Sequence, residues 1–275
     1  KDLLKIFFEI ILLFKNIINR FIFMLLNSKY LNKKKVFDLI HDDYHYAKVL
    51  NSFGIDFYKH YDENLNDLCE SKGISFGKLL GYRNSLHESN SLAHEYLKSS
   101  PINLVIEFLK DNHNYFIKNK LPYLHNLINN LNDNNQTNFS KDLKFIFPIF
   151  FEDFVEHIYE EENHFFKYIY ELFNAEQGRV NTTSLIFMMK NFSINKILND
   201  HINEDSEMAG IRGITKNYSY KSIKDLHLKV IFQELKEFDE ELSVHSYIEN
   251  KILFPKAFKL EKKVSKILDN IAFHN

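Results

Sequence analysis

Cysteine, glycine and proline are scarce in this chain, and their shortage excludes several classes of protein. Its 275 residues include one cysteine, seven glycines and four prolines. Because a disulfide needs two thiols and thiolate metal sites need several, Cys69 alone excludes an intramolecular disulfide framework and a thiolate-built zinc or iron–sulfur site. A single cysteine also favours a reducing compartment, so we expect the protein to be cytoplasmic.

Strand-like patterns are missing as well. No run of segments alternates apolar and polar residues, whereas long stretches repeat apolar residues at helical spacing, which predicts an all-α protein. A hydrophobic content of 45% predicts a sizeable core, with one main domain and a smaller one attached. The net charge of -2 gives no excess of positive charge that would attract nucleic acid, so no nucleic-acid partner is expected.

No stretch of roughly 18 apolar residues is free of charge, so the sequence predicts no transmembrane helix. The first 26 residues come nearest to one, but charges interrupt them at Lys5, Glu9, Lys15 and Arg20. Because these charges share one face, residues 1–27 are predicted to form an amphipathic helix. Residues 1–26 could contact a membrane surface or pack on a partner. Alternatively, residues 1–23 could lie upstream of the native product, since the first methionine is Met24.

A small helical domain is predicted over residues 36–88. Gly54 and Gly73 divide it into short helices. Its apolar positions are Leu39, Ile40, Ala47, Leu50, Phe53, Leu65, Leu68, Leu79 and Leu80. His41 and His45 are also four residues apart, but the charged residues around them favour a solvated surface over a metal site. A polar link over residues 89–100 leads to Pro101.

From Pro101 onward the periodicity predicts an up-down four-helix bundle over residues 101–262. The four helices are expected at about 102–131, 141–174, 185–217 and 222–252. Pro122 predicts a kink or break near Lys120, and Pro255 is expected to stop the fourth helix.

Two histidine–glutamate pairs lie on the apolar stripes of these helices. His245 and Glu249 are four residues apart, as are His157 and Glu161, so each pair shares one helix face and can reach one metal ion. A buried carboxylate without a partner costs several kcal/mol, so a second charge or a metal is expected beside each glutamate.

Single histidines occupy the apolar stripes of the other two helices, at His113 and His201. The candidate ligands are therefore His113, His157, Glu161, His201, His245 and Glu249. Six ligands are too many for one ion and suit a pair of ions with bridging carboxylates and a bridging oxygen from solvent. Iron fits best, because structural zinc prefers closed tetrahedral sites that often contain thiolates.

The histidine segments resemble those of hemerythrin-like di-iron domains, in particular those of the iron–sulfur cluster repair (RIC) proteins. The two signature segments are 157–162 (HIYEEE) and 245–257 (HSYIENKILFPKA). Segments 110–116 and 199–205 are similar to those that supply the other two histidines. Residues 50–55, 66–70 and 73–74 resemble the small domain that precedes the di-iron domain in this family. The family usually has adjacent cysteines after the first of these, where this chain has Asp56 to Tyr61.

The resemblance implies a non-haem di-iron centre with an oxo or hydroxo bridge. The four histidines would be terminal ligands and the two glutamates would bridge. Asp153, one turn before His157, and Asp200, beside His201, could be outer partners or proton relays, or could lie on solvated helix faces.

Proteins of this family respond to nitric oxide and oxidative damage and help to restore iron–sulfur clusters. The first hypothesis is therefore a repair protein that acts on damaged iron–sulfur proteins, by iron delivery or nitric oxide reduction. The second is a module that binds or senses oxygen or nitric oxide without turnover. The small domain favours the first hypothesis, and the missing cysteine pair favours the second. A purely structural bundle ranks third, because it leaves two core carboxylates unexplained.

Overall fold

The computed structural model describes residues 31, 33–85, 93–131, 138–179, 182–195, 198, 208–219 and 223–273. Regular structure in these ranges is helical apart from one isolated β-bridge between Lys35 and Asn64. The predicted all-α class is therefore confirmed. The predicted amphipathic helix of residues 1–27 lies outside the described residues. The chain divides between Ser89 and Asn90 into two compact units.

The described part of the first unit contains four short α-helices and one 3₁₀ turn, Phe57–Lys59. The α-helices are α1 (Val36–Asp42), α2 (His45–Ser52), α3 (Leu65–Ser71) and α4 (Phe76–Ser85). Gly54 and Gly73 adopt φ angles of +73° and +65°, which explains why helices end beside them. His41 is exposed, whereas Nδ1 of His45 lies 2.8 Å from Asp43 Oδ1, so His45 pairs with a neighbouring carboxylate.

Three long helices run through the described part of the second unit, and each contains one π-helical turn. The first comprises α6 (Ile102–Tyr115), the π turn Phe116–Lys120 and α7 (Leu121–Asn129). The second comprises α8 (Asn138–Glu160), the π turn Glu161–Phe166 and α9 (Lys167–Glu176). The third comprises α12 (Leu226–Ile248), the π turn Glu249–Leu253 and α13 (Phe254–Phe273). Shorter helices are α5 (Ala93–Ser99), α10 (Thr182–Asn191) and α11 (Ala209–Ile214).

Apolar packing on both sides of the π turns holds the long helices together. On one side α9 packs against α13, and Tyr168 and Ala257 are fully buried. On the other side α7 packs against α8 and α12, and the Phe238 ring meets Phe150 and Phe154 edge to face. The π turns with the candidate metal ligands therefore lie between two well-packed regions.

The two prolines expected to disturb the helices are accommodated by π turns. Instead of a break near Lys120, the helix continues through a π turn, and Pro122 is the second residue after it. The prediction that Pro255 stops the fourth helix is wrong, since α13 runs through it to Phe273. Proline cannot donate an N–H and clashes with the carbonyl four residues back. Just after a π turn the hydrogen-bond ladder is already irregular, so the proline is tolerated.

The predicted continuous third helix over 185–217 is also wrong. Helix α10 ends at Asn191, residues 192 and 193 are not helical, and α11 is a separate helix. Part of the predicted link forms α5, because Leu97 supplies a buried apolar side chain there. Over the described ranges, no helix combines the length and apolar character that crossing a membrane requires.

Candidate metal centre

Two histidines and two glutamates converge between the long helices. The ligand atoms of His113, Glu161, His245 and Glu249 all lie within 4.8 Å of one another, and all four residues are buried. His113 lies in the last turn of α6 and His245 in the last turn of α12. Each glutamate is the first residue of a π turn. The cluster therefore combines three chain segments that are far apart in sequence.

The spacing of these atoms matches the requirements of metal coordination. Nε2 of His113 lies 3.1 Å from Nε2 of His245 and 3.2 Å from Oε2 of Glu161. Nε2 of His245 lies 3.1 Å from Oε1 of Glu249. Nitrogen and oxygen ligands at about 2.0–2.2 Å from one ion are about 3–4 Å apart. The donor set thus has both the type and the spacing that a transition metal needs.

His157 extends the cluster on the side of Glu161. Its Nε2 lies 3.4 Å from Oε1 of Glu161, whereas Oε2 of the same carboxylate faces His113. Glu161 therefore presents one oxygen to each of two histidines. The side chain of His157 is 21% exposed, so this edge of the cluster is nearer to solvent.

The π turns are features that helical periodicity does not reveal. A π turn adds one residue to a helical turn and often marks a functional site. Both convergent glutamates stand at the start of such a turn, four residues after a histidine. The remaining π turn, Phe116–Lys120, begins three residues after His113.

Aromatic rings enclose the cluster. The Phe166 ring is parallel to the His113 ring, with centroids 5.6 Å apart. Phe116 meets the His245 ring at 5.7 Å and the Phe154 ring at 6.1 Å. These side chains keep water away from the buried faces of both imidazoles, which strengthens electrostatic interactions among the ligands.

Glu162 is a contact of this site that sequence reasoning missed. Its Oε1 lies 2.9 Å from Nδ1 of His113, on the side of the ring opposite Glu161. The sequence signal was the acidic run of residues 160–162, in which only Glu161 was selected. Burial alone would lower the pKa of His113, but the neighbouring carboxylates of Glu161, Glu249 and Glu162 outweigh it and raise that pKa.

The remaining predicted site residues do not join the described cluster. His201 and Asp200 lie outside the described residues. Asp153 is exposed, and the contacts described for the long helices do not connect it with His157.

Nδ1 of His245 is buried and has no hydrogen-bond partner among the described side chains and backbone.

A cavity of about 620 Å³ reaches the cluster. His113, His157, Glu161, His245 and Glu249 all line it. A hydrogen-bonded pair also lines the cavity, in which Arg212 Nη1 donates to Asp239 Oδ1 at 2.6 Å. The candidate ligands are therefore accessible to small molecules from one side.

A second buried ionic cluster surrounds Lys120 in the first π turn. Its Nζ lies 2.9 Å from Glu234, 3.4 Å from Glu237 and 3.9 Å from Glu241. Lys120 and Glu234 are fully buried. Burial alone would lower the pKa of Lys120, but the carboxylates raise it well above its usual value. Lys120 therefore stays charged inside the bundle.

Cys69 is the only thiol in the chain, and it is buried in α3 of the first unit. Burial raises the pKa of this thiol above its usual value. Because the thiolate is the reactive form, Cys69 is a poor nucleophile at neutral pH.

The chain is similar to an iron–sulfur cluster repair protein. It is 22% identical over 231 residues to iron-sulfur cluster repair protein ScdA from Staphylococcus haemolyticus. That alignment covers 82% of this chain and 98% of the bacterial protein. No protein-family model matches the chain. The resemblance to cluster repair proteins is thus supported over most of the sequence.

Proposed function

We propose that this protein binds iron and takes part in the repair of iron–sulfur clusters damaged by nitric oxide or oxidative stress. The observation that carries the proposal is the buried group of His113, Glu161, His245 and Glu249. The similarity to a cluster repair protein over most of the chain supports the same conclusion. An all-helical fold around a histidine–glutamate site agrees with the hemerythrin-like architecture expected for this family.

The donor chemistry favours iron. Imidazole nitrogens and carboxylate oxygens suit iron, and the described cluster contains no thiolate of the kind that structural zinc or iron–sulfur sites use. Nδ1 of His113 faces Glu162, which leaves Nε2 directed at the other ligands. A carboxylate that contacts the second ring nitrogen of a ligating histidine is typical of metal sites.

The cluster further supports a site for two iron ions. Glu161 spans His113 and His157, with one oxygen toward each, as a bridging carboxylate requires. His113, His157, His201 and His245 would be terminal ligands, and Glu161 and Glu249 would bridge. When bound, the iron pair would supply the redox chemistry that binds or reduces a diatomic molecule, or would itself be delivered.

The surrounding residues would determine how the site is used. Phe116 and Phe166 exclude water from the imidazole faces, while the cavity admits small ligands such as nitric oxide or oxygen. The partners we propose are damaged iron–sulfur proteins in the cytoplasm, and no nucleic acid. Membrane-surface contact through residues 1–26 remains part of this proposal.

A second candidate function is reversible binding or sensing of oxygen or nitric oxide without turnover. The thiol chemistry of the chain favours it. Its one cysteine, Cys69, is buried with a raised pKa, and the adjacent cysteines usual in cluster repair proteins are absent. Repair that depends on a reactive thiol is therefore not expected here.

Iron analysis of freshly purified variants tests the site. His245→Ala and Glu161→Ala should lose most of the iron, because each removes a buried ligand. His125→Ala is the control, since its Nε2 already accepts a hydrogen bond from Asn129 at 2.7 Å. Equal iron loss in all three variants, or no iron in the wild type, would contradict the assignment.

Activity assays separate the two functions. Wild type and His245→Ala are compared for recovery of a damaged iron–sulfur enzyme and for nitric oxide consumption under reducing conditions. Recovery or consumption that depends on His245 supports repair. Reversible gas binding by wild type, with neither activity, would assign the protein to the binding or sensing class.

A further inference from the structure

The His113 ring is held between two consecutive carboxylates. Oε2 of Glu161 lies 3.2 Å from its Nε2, and Oε1 of Glu162 lies 2.9 Å from its Nδ1. Because adjacent residues on a helix point in different directions, two neighbouring side chains can approach opposite edges of one imidazole. The π turn that begins at Glu161 contains both residues.

We propose that Glu162 is a positioning residue for metal binding, an inference that rests on the proposed function. Its carboxylate accepts the Nδ1–H of His113, so the lone pair of Nε2 is directed at the metal position. A carboxylate in this place fixes the tautomer and orientation of a ligating histidine and makes its other nitrogen more basic.

The surroundings of the two residues support this role. The side chain of His113 is 1% exposed, and Phe166 lies parallel to its ring. The main motion left to the ring is therefore rotation about the bond that joins it to Cβ. Rotation would exchange the two ring edges, and the bond to Glu162 opposes it. The side chain of Glu162 is 31% exposed, so its carboxylate remains partly solvated and is less costly to hold than a buried one.

The second histidine–glutamate pair lacks this carboxylate. The residue after Glu249 is Asn250, at the position that Glu162 occupies after Glu161. Asn250 also lines the cavity, and its Oδ1 is buried without a hydrogen-bond partner in the described chain. Within the described residues, therefore, an acidic side chain follows Glu161 whereas an amide follows Glu249, so the two glutamates have chemically different neighbours.

Iron(II) affinity and midpoint potential test the inference. Affinity is measured anaerobically by competition with a coloured chelator, together with the melting temperature of the metal-free protein. Glu162→Ala should bind iron(II) about 10- to 100-fold more weakly, the usual effect of losing such a partner. Glu162→Gln should retain most of the affinity, because its amide oxygen can still accept from Nδ1–H.

The potential distinguishes positioning from a role in folding. Glu162→Gln should raise the midpoint potential, because loss of the negative charge disfavours the oxidised metal. Glu160→Gln is the matched control, since it removes the same charge from the exposed neighbour two residues away. It should change neither affinity nor potential.

Three outcomes would overturn the inference. The first is that Glu162→Ala has the same iron affinity and midpoint potential as the control Glu160→Gln. The second is a loss of iron affinity in which Glu162→Ala and Glu162→Gln also destabilise the metal-free protein to the same extent. That result would assign Glu162 a role in folding. The third is a wild type that binds no iron, which overturns the proposed function as well, whereas the first two leave that function standing.

Discussion

Replacement of Lys120 by methionine should destabilise the bundle far more than replacement of its closest partner. Methionine has a similar length but no charge, so it leaves three carboxylates around an apolar side chain, and that of Glu234 is fully buried. Removal of one partner of a buried ion pair costs about 3–5 kcal/mol. Since domains are stable by only about 5–15 kcal/mol, this is a large fraction of the free energy of unfolding.

Glu234→Gln should cost less, about 1–3 kcal/mol, because the amide keeps a hydrogen-bonding oxygen. Lys120 would also retain Glu237 at 3.4 Å and Glu241 at 3.9 Å, both partly solvated. The structure therefore predicts an asymmetry between two residues that belong to the same ion pair.

Urea unfolding followed by far-UV circular dichroism measures this asymmetry. With an m-value of about 2 kcal/mol/M, a loss of 4 kcal/mol lowers the midpoint by about 2 M. Lys118→Met is the matched control, since Lys118 is an exposed residue of the same π turn and should change stability by less than about 0.5 kcal/mol. A midpoint for Lys120→Met equal to or above that of Glu234→Gln would refute this reasoning.

Two further predictions concern the metal and the thiol. Removal of iron should lower the melting temperature measured by calorimetry, since a ligand at 100 times its Kd stabilises the folded state by about 2.7 kcal/mol. Identical melting of apo and holo protein would show that the candidate ligands do not share a metal. Cys69→Ser should retain both iron content and any cluster-restoring activity. In the wild type, Cys69 should be alkylated much more slowly in native than in urea-unfolded protein, because burial raises its pKa. Loss of cluster recovery in Cys69→Ser with iron retained would contradict the thiol-independent mechanism.

Local spacing was enough to predict the helical class and to place each of two histidines on one helix face with a glutamate. A separation of four residues places His245 and Glu249, or His157 and Glu161, on one helix face whatever the tertiary arrangement, because 3.6 residues complete a turn. The apolar stripe around them also indicates that this face points inward. Gly54 could be identified as a helix end because a left-handed conformation is readily available only to glycine.

How closely the groups on different helices approach one another was decided only by the tertiary structure. The 3.1 Å approach of His113 to His245 joins residues 132 positions apart, and it depends on helix rotation and crossing that periodicity does not specify. Glu162 reaches His113 because a π turn changes the direction of its side chain, and such a turn forms only where packing offsets its weaker hydrogen-bond ladder. The burial of Lys120 was unpredictable for the same reason, since the carboxylates that stabilise it lie more than 100 residues away on another helix.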